Sequence, residues 1–175
     1  MIVVSNTTPL SELFKIGELD LLRIVYGHIL IPQAVWDELR QAREFPDLAS
    51  TVEQAEWVEV RAGQNPTAVH ALQQRYAKLK LGVGECAAIA LASEVNATRV
   101  ILDDRKAREA AKAEGLPLIG TLGVLLLAHR QQLITAEKAR EILDKLYRGS
   151  FHLGEALNQS MLDQITLPEG EHKST

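Results

Sequence analysis

The chain has 175 residues, 46% of them hydrophobic and 24% charged, with 11 glycines and 6 prolines, which fits one domain with its own core and excludes a disordered or collagen-like chain. Nineteen basic residues against 23 acidic ones give a net charge of −4. That sign is opposite to the one expected of a protein that grips duplex DNA through its phosphates, although a local basic face can coexist with it. A single cysteine, Cys86, excludes an internal disulfide and a thiolate zinc site. No basic leader precedes an apolar stretch at the N-terminus, and the apolar run at 116–128 is broken by Pro117, Gly120, Thr121 and Gly123. The expectation is a soluble, cytoplasmic protein with no membrane span.

Ile2, Val3 and Val4 form a β-branched run that ends in Ser5-Asn6-Thr7-Thr8-Pro9, so a strand passes through a polar turn into a helix. Leu10, Leu13 and Phe14 sit one helical turn apart, and Gly17 ends that helix. Leu19, Leu21, Leu22 and Ile24 make a second short helix before Gly27. Residues 28–31 predict a second strand. Pro32 then starts a helix with Val35, Trp36 and Leu39 on its apolar face, closed by Phe45-Pro46. Residues 57–60 alternate weakly as a third strand, and 68–80 read as an exposed amphipathic helix. Residues 84–95 are alanine-dense and apolar nearly all round, which predicts a buried helix.

Residues 100–102 are the clearest strand, bounded by Asp103-Asp104. Ala107, Ala110 and Ala111 form the inner face of the helix that stops at Gly115, and 116–119 make a fifth strand. Helices at 122–129, 136–147 and about 153–165 follow, and 168–175 is a polar, frayed end. Strands alternating with helices predict an α/β fold with a mostly parallel five-stranded sheet covered on both faces. Residues 1–165 form one domain on this reading, and 166–175 a polar tail.

In such sheets the ligand site lies off the carboxyl ends of the strands, where strand order reverses. Asn6 follows the first strand, Asp103 and Asp104 the fourth, Glu38 lies in the helix after the second, and Glu85 begins the alanine-rich helix. Each has an ordinary explanation: Glu85 and the aspartates suit a helix N-terminus, and Glu38 a solvated helix face. Together they are a different matter. Carboxylates converging at one sheet edge repel unless a cation offsets them, and hard oxygen donors suit Mg²⁺ or Mn²⁺. The five histidines, His28, His70, His129, His152 and His172, are scattered, and zinc is disfavoured.

Four stretches, in order, resemble the motifs of a PIN domain: residues 2–10 (IVVSNTTPL), 31–39 (IPQAVWDEL), 84–92 (GECAAIALA) and 101–108 (ILDDRKAR). The stretch 120–125 (GTLGVL) is similar to a prokaryotic branch of that superfamily. The likeness runs from Ile2 to about Tyr147. It implies a three-layer α/β/α sandwich and a metal-dependent ribonuclease, often the toxin of a toxin–antitoxin pair with an antitoxin partner. The acidic ligands it implies fall on Glu38, Glu85 and Asp104, with Asp103 beside them, around Mg²⁺ or Mn²⁺. The first position departs, since the family has Asp where this chain has Asn6; an amide oxygen can ligate a cation but brings no charge.

Arg105, Lys106, Arg108 and Lys112 flank Asp103-Asp104 and form the best candidate for a local RNA-facing patch. PIN-like proteins commonly form homodimers, and Leu125, Leu126, Leu127, Tyr147 and Phe151 supply apolar surface for one. Two rivals stand beside the ribonuclease. One is a catalytically impaired PIN-like module that binds RNA or a protein. The other is a nucleotide-binding protein using Gly82-Val83-Gly84, because G-x-G-x-x-A with an aspartate about 20 residues on matches the dinucleotide fingerprint. Cys86, Trp36 and Trp57 read as core or interface residues rather than chemistry.

Overall fold

A computed structural model describes residues 1–43, 46–65, 67–149, 151 and 153–166. Five strands, β1 (Val3–Ser5), β2 (Ile29–Pro32), β3 (Val58–Arg61), β4 (Arg99–Ile101) and β5 (Leu118–Ile119), pair in the order β3-β2-β1-β4-β5. Every pairing is parallel, with Val4 opposite both Leu30 and Val100. The chain steps outward from β1 to β3, then returns to place β4 on the other side of β1. Strand order therefore reverses beside β1, and the β1–β4 edge is the switch point.

Alternating side chains divide the sheet's two faces. Val3, Ile29, Ile31 and Ile101 join one core with α1 (Thr7–Lys15), α2 (Asp20–Tyr26), α3 (Gln33–Gln41) and α4 (Pro46–Gln54). The same core takes in α8 (Thr121–Arg130), α9 (Ala136–Arg148) and α10 (Glu155–Thr166). Val4, Leu30, Val100 and Leu102 join the other, under α5 (Ala68–Arg75), α6 (Val83–Glu94) and α7 (Arg105–Ala113). The result is an α/β/α sandwich whose central strands β1 and β2 are buried on both faces, while β3 and β5 at the sheet's edges are only partly buried. No described helix is long and apolar enough to cross a membrane.

The alanine-rich helix behaves as its composition demands. Cys86, Ala87, Ala88, Ile89, Leu91 and Ala92 of α6 are all buried, and small side chains bring α6 against β1, β2 and α3. Burial also pushes the Cys86 thiol up to about 11, so it is a core residue and not a nucleophile. Ala107, Ala110 and Ala111 of α7 are fully buried. Trp36 and Trp57 are partly buried against the first core.

Several expectations need correction. Pro46 does not close a helix but opens α4, where its missing N–H costs nothing, and Leu48 and Val52 bury one face. Pro32 ends β2 and caps α3 from outside. The helix expected over 68–80 stops at Arg75 and gives way to a 3₁₀ turn, Ala77–Leu79, with Lys80 at φ +55°. Leu125 is buried and offers no surface to a partner. Phe45, His152, His172 and residues 168–175 lie outside the described residues.

Candidate active site

Asn6 stands where β1 meets α1, and its backbone N–H reaches the carbonyl of Ile101 on β4. Its position is the N-cap of α1, yet its side chain makes no capping bond. The residue is 2% exposed and its Oδ1 is buried with no hydrogen-bond partner among the described residues. A buried acceptor left unpaired costs about 1–3 kcal/mol, so this atom marks a place where a donor or a cation would be stabilising.

Glu38 is held across the chain from two directions. Thr7 Oγ1 donates to its Oε2 at 2.5 Å, and Gly84 N–H donates to its Oε1 at 2.9 Å. Its carboxylate therefore ties the start of α1 to the first turn of α6. Glu85 follows Gly84 and is anchored by Gly82 N–H, which donates to its Oε2 at 2.8 Å. Burial pushes the Glu85 carboxyl above its usual range; the Gly82 N–H opposes this, while the charges of Asp104 and then Glu38 add to it. Lys106 acts on the same group in the opposite sense. Glu38, Glu85, Asp104 and Lys106 thus share one electrostatic neighbourhood.

Asp104 is exposed and caps α7, its Oδ1 accepting from Lys106 N–H at 2.8 Å and Ala107 N–H at 2.9 Å. Asp103 faces different partners. Its Oδ1 accepts from Thr121 N–H at 2.8 Å and its Oδ2 from Thr121 Oγ1 at 2.6 Å. Burial raises its carboxyl, the Thr121 bonds and Arg108 lower it, and Glu12 raises it again. Glu12, a buried carboxylate paired with Lys15 at 2.7 Å, was not singled out by the sequence; its place beside the apolar Leu10 and Leu13 of α1 was the available signal. Arg108 donates from Nη1 to Leu102 O at 2.8 Å, whereas Arg105 and Lys106 are exposed at the start of α7.

Among the described residues no three His, Cys, Asp or Glu side chains are grouped closely enough to hold a metal ion. Backbone amides and Thr7 occupy the carboxylates instead. The donor chemistry still matches a hard cation: the charges of Asp104 and Glu38 raise the proton affinity of Glu85, and Asn6, next to the Thr7 that bonds Glu38, carries an unpartnered buried amide oxygen.

The nucleotide-binding alternative is not supported. No strand leads into Gly82; a 3₁₀ turn does. The Gly82 and Gly84 amides that a phosphate would need are bonded to Glu85 and Glu38.

No curated protein matches the chain significantly. Residues 2–166 match a family model described as a PIN domain, and that span takes in every strand, both cores and all the acidic positions described above. With its all-parallel sheet and a nuclease-type sandwich around that edge, the chain belongs to the PIN domain family.

Proposed function

We propose that this protein is a divalent-metal-dependent ribonuclease. Glu38, Glu85 and Asp104 would hold Mg²⁺ or Mn²⁺ directly or through water, with Asn6 as a neutral donor. The observation that carries this reading is Asn6 Oδ1, a buried acceptor without a partner at the β1–β4 switch point. When bound, such a cation supplies a more acidic water and charge stabilisation at a phosphoryl oxygen.

The chain's own residues supply the rest. Thr7 and Gly84 orient the Glu38 carboxylate. Gly82 N–H occupies Glu85 Oε2, which leaves Oε1 to face the cation or its water. Arg105 and Lys106, exposed at the head of α7, would neutralise phosphates of the RNA strand. Asp103 orders the β4–α8 junction through Thr121.

The second reading is a module that binds RNA or a protein and has lost catalysis, and Asn6 in place of a carboxylate is the feature that favours it. An RNA cleavage assay in Mn²⁺ separates the two. The ribonuclease reading expects cleavage by the parent, faster cleavage by Asn6→Asp, and none by Glu85→Gln. Silence from parent and Asn6→Asp alike would leave only the binding module.

A toxin role with an antitoxin partner belongs to the ribonuclease reading through the family likeness alone. A homodimer would use the partly buried Leu126 and Leu127 and Tyr147, which is 40% exposed.

A further inference from the structure

The cation site described above uses Glu38, Glu85 and Asp104, and leaves Asp103 and Arg108 with no task beyond ordering the fold. Both line a cavity of about 450 Å³ at the β4–β5 side of the same sheet edge. That volume lies within the range of small-ligand pockets, roughly 300–1,000 Å³. Its other walls are apolar, among them Ile119, Phe151 and Leu157. Leu157, which is 50% exposed, is the most accessible of these apolar wall residues.

The polar end has a definite chemistry. Arg108 commits Nη1 to Leu102 O, and its remaining N–H groups are available as donors. Each Asp103 oxygen takes one bond from Thr121 and retains acceptor capacity. Gly120 keeps this end open: a Cβ there would stand 3.0 Å from Asp103 Oδ1 and 3.1 Å from Arg108 Nη1. The pocket thus presents apolar walls, an aromatic ring, and a donor beside an acceptor.

We infer that this cavity is a nucleobase subsite that receives one unpaired guanine of the RNA strand next to the scissile phosphate. Guanine sets an acceptor, O6, directly beside two donor groups, N1–H and N2–H₂, so one edge meets Arg108 and Asp103 together. Arginine on the O6/N7 side of guanine is also the commonest base-specific contact. Cytosine and adenine offer one exocyclic donor group to the carboxylate where guanine offers two adjacent ones, and uracil flanks its single donor with acceptors. Phe151 provides the stacking surface that unpaired bases use in RNA recognition. Asp103 and Asp104 both follow β4 at the carboxyl end of the sheet, so the base pocket and the proposed cation site open on the same sheet edge although the two side chains turn to different neighbours.

The inference rests on the ribonuclease reading, and one binding experiment keeps the two apart. The full chain carrying Glu85→Gln, silenced for cleavage, is titrated by fluorescence anisotropy with a short uridine-rich RNA and with the same RNA containing a single guanine. The expected result is at least about tenfold tighter binding of the guanine-containing strand. That preference should fall below about threefold when Phe151→Ala or Gly120→Ala is added, and persist with Phe151→Tyr. Gly120→Ala guards against a packing defect from the loss of Phe151, and melting curves of both variants confirm that they fold. Equal affinity for the two RNAs, or a preference untouched by both changes, overturns the subsite and leaves the ribonuclease reading standing. No binding of either RNA overturns both.

Discussion

The carboxylate of Glu38 lies directly on the Cα of Gly84. A Cβ built at position 84 would stand 2.5 Å from both carboxylate oxygens and 2.7 Å from the carbon between them. Residues 46 apart in sequence are brought into contact at the junction of α3 and α6, and only the absence of a side chain permits it.

This contact makes a thermodynamic prediction that needs no metal. Gly→Ala inside a helix ordinarily stabilises by about 0.5–1 kcal/mol. In the parent, Gly84→Ala should give no gain, or a loss of up to about 1 kcal/mol, because the Glu38 side chain must swing away and abandon its Gly84 N–H bond. In a Glu38→Ala background the same change should recover the ordinary gain. Urea denaturation of the four proteins measures the coupling, expected at about 1 kcal/mol or more; additivity within about 0.5 kcal/mol would refute the contact.

Cation linkage gives a second prediction. A ligand that binds only the folded state raises the melting temperature in proportion to the logarithm of its concentration above Kd. Millimolar Mn²⁺ should therefore raise the melting temperature of the parent, and Glu85→Gln should lose that increment while keeping its bond to Gly82. A flat Mn²⁺ titration of the parent would count against the site. An equal rise in both proteins would place the ion elsewhere.

A third prediction concerns acid stability on the opposite edge of the fold. Glu114 Oε1 accepts from Tyr76 Oη at 2.6 Å and from Arg75 Nη1 at 2.7 Å, joining α7 to the end of α5. The Tyr76 hydroxyl first, and Arg75 after it, hold the Glu114 carboxyl below its usual range. The unfolded chain therefore binds this proton more readily than the folded one. The stabilisation is complete above the ordinary carboxylate value of 4.5 and is lost as pH falls through the lower folded value. Tyr76→Phe should cost about 0.5 kcal/mol at pH 7, solvent screening keeping it small, and progressively less toward acid. A cost independent of pH would show that Tyr76 acts through packing alone.

How much of this was legible beforehand depended on whether a feature was local. Alanine density announced α6 as buried, and β-branched runs announced β1 and β4, because composition and periodicity report burial residue by residue. Pro46 opens α4 instead of closing α3, because a proline ends one helix or begins the next with the same local signature and only the burial of Leu48 and Val52 decides. The acidic positions at the sheet edge were visible through order and spacing. The groups that orient them were not: Thr7 reaches Glu38 across 31 residues and Gly84 across 46. The separation of Asp104 from Asp103 was equally hidden, since adjacent residues leaving a strand turn to different neighbours, one capping α7 and the other bonding Thr121.

Asn6 is the residue on which the proposed cation site depends most directly. Its buried, unpartnered Oδ1 is read as a neutral member of a cation site, and Asn6→Asp restores a charge with almost no change in shape. A unit charge about 4 Å from another is worth roughly 4 kcal/mol at an effective dielectric near 20, before desolvation is subtracted. A tenfold change in affinity needs only about 1.4 kcal/mol. Calorimetric titration of Mn²⁺ into the parent and into Asn6→Asp is the most direct measurement. The account predicts at least severalfold tighter binding by Asn6→Asp, at a single site that Glu85→Gln weakens in both backgrounds. Equal Mn²⁺ affinity in the two proteins would contradict it, because the side chain at position 6 would then have no part in holding the ion.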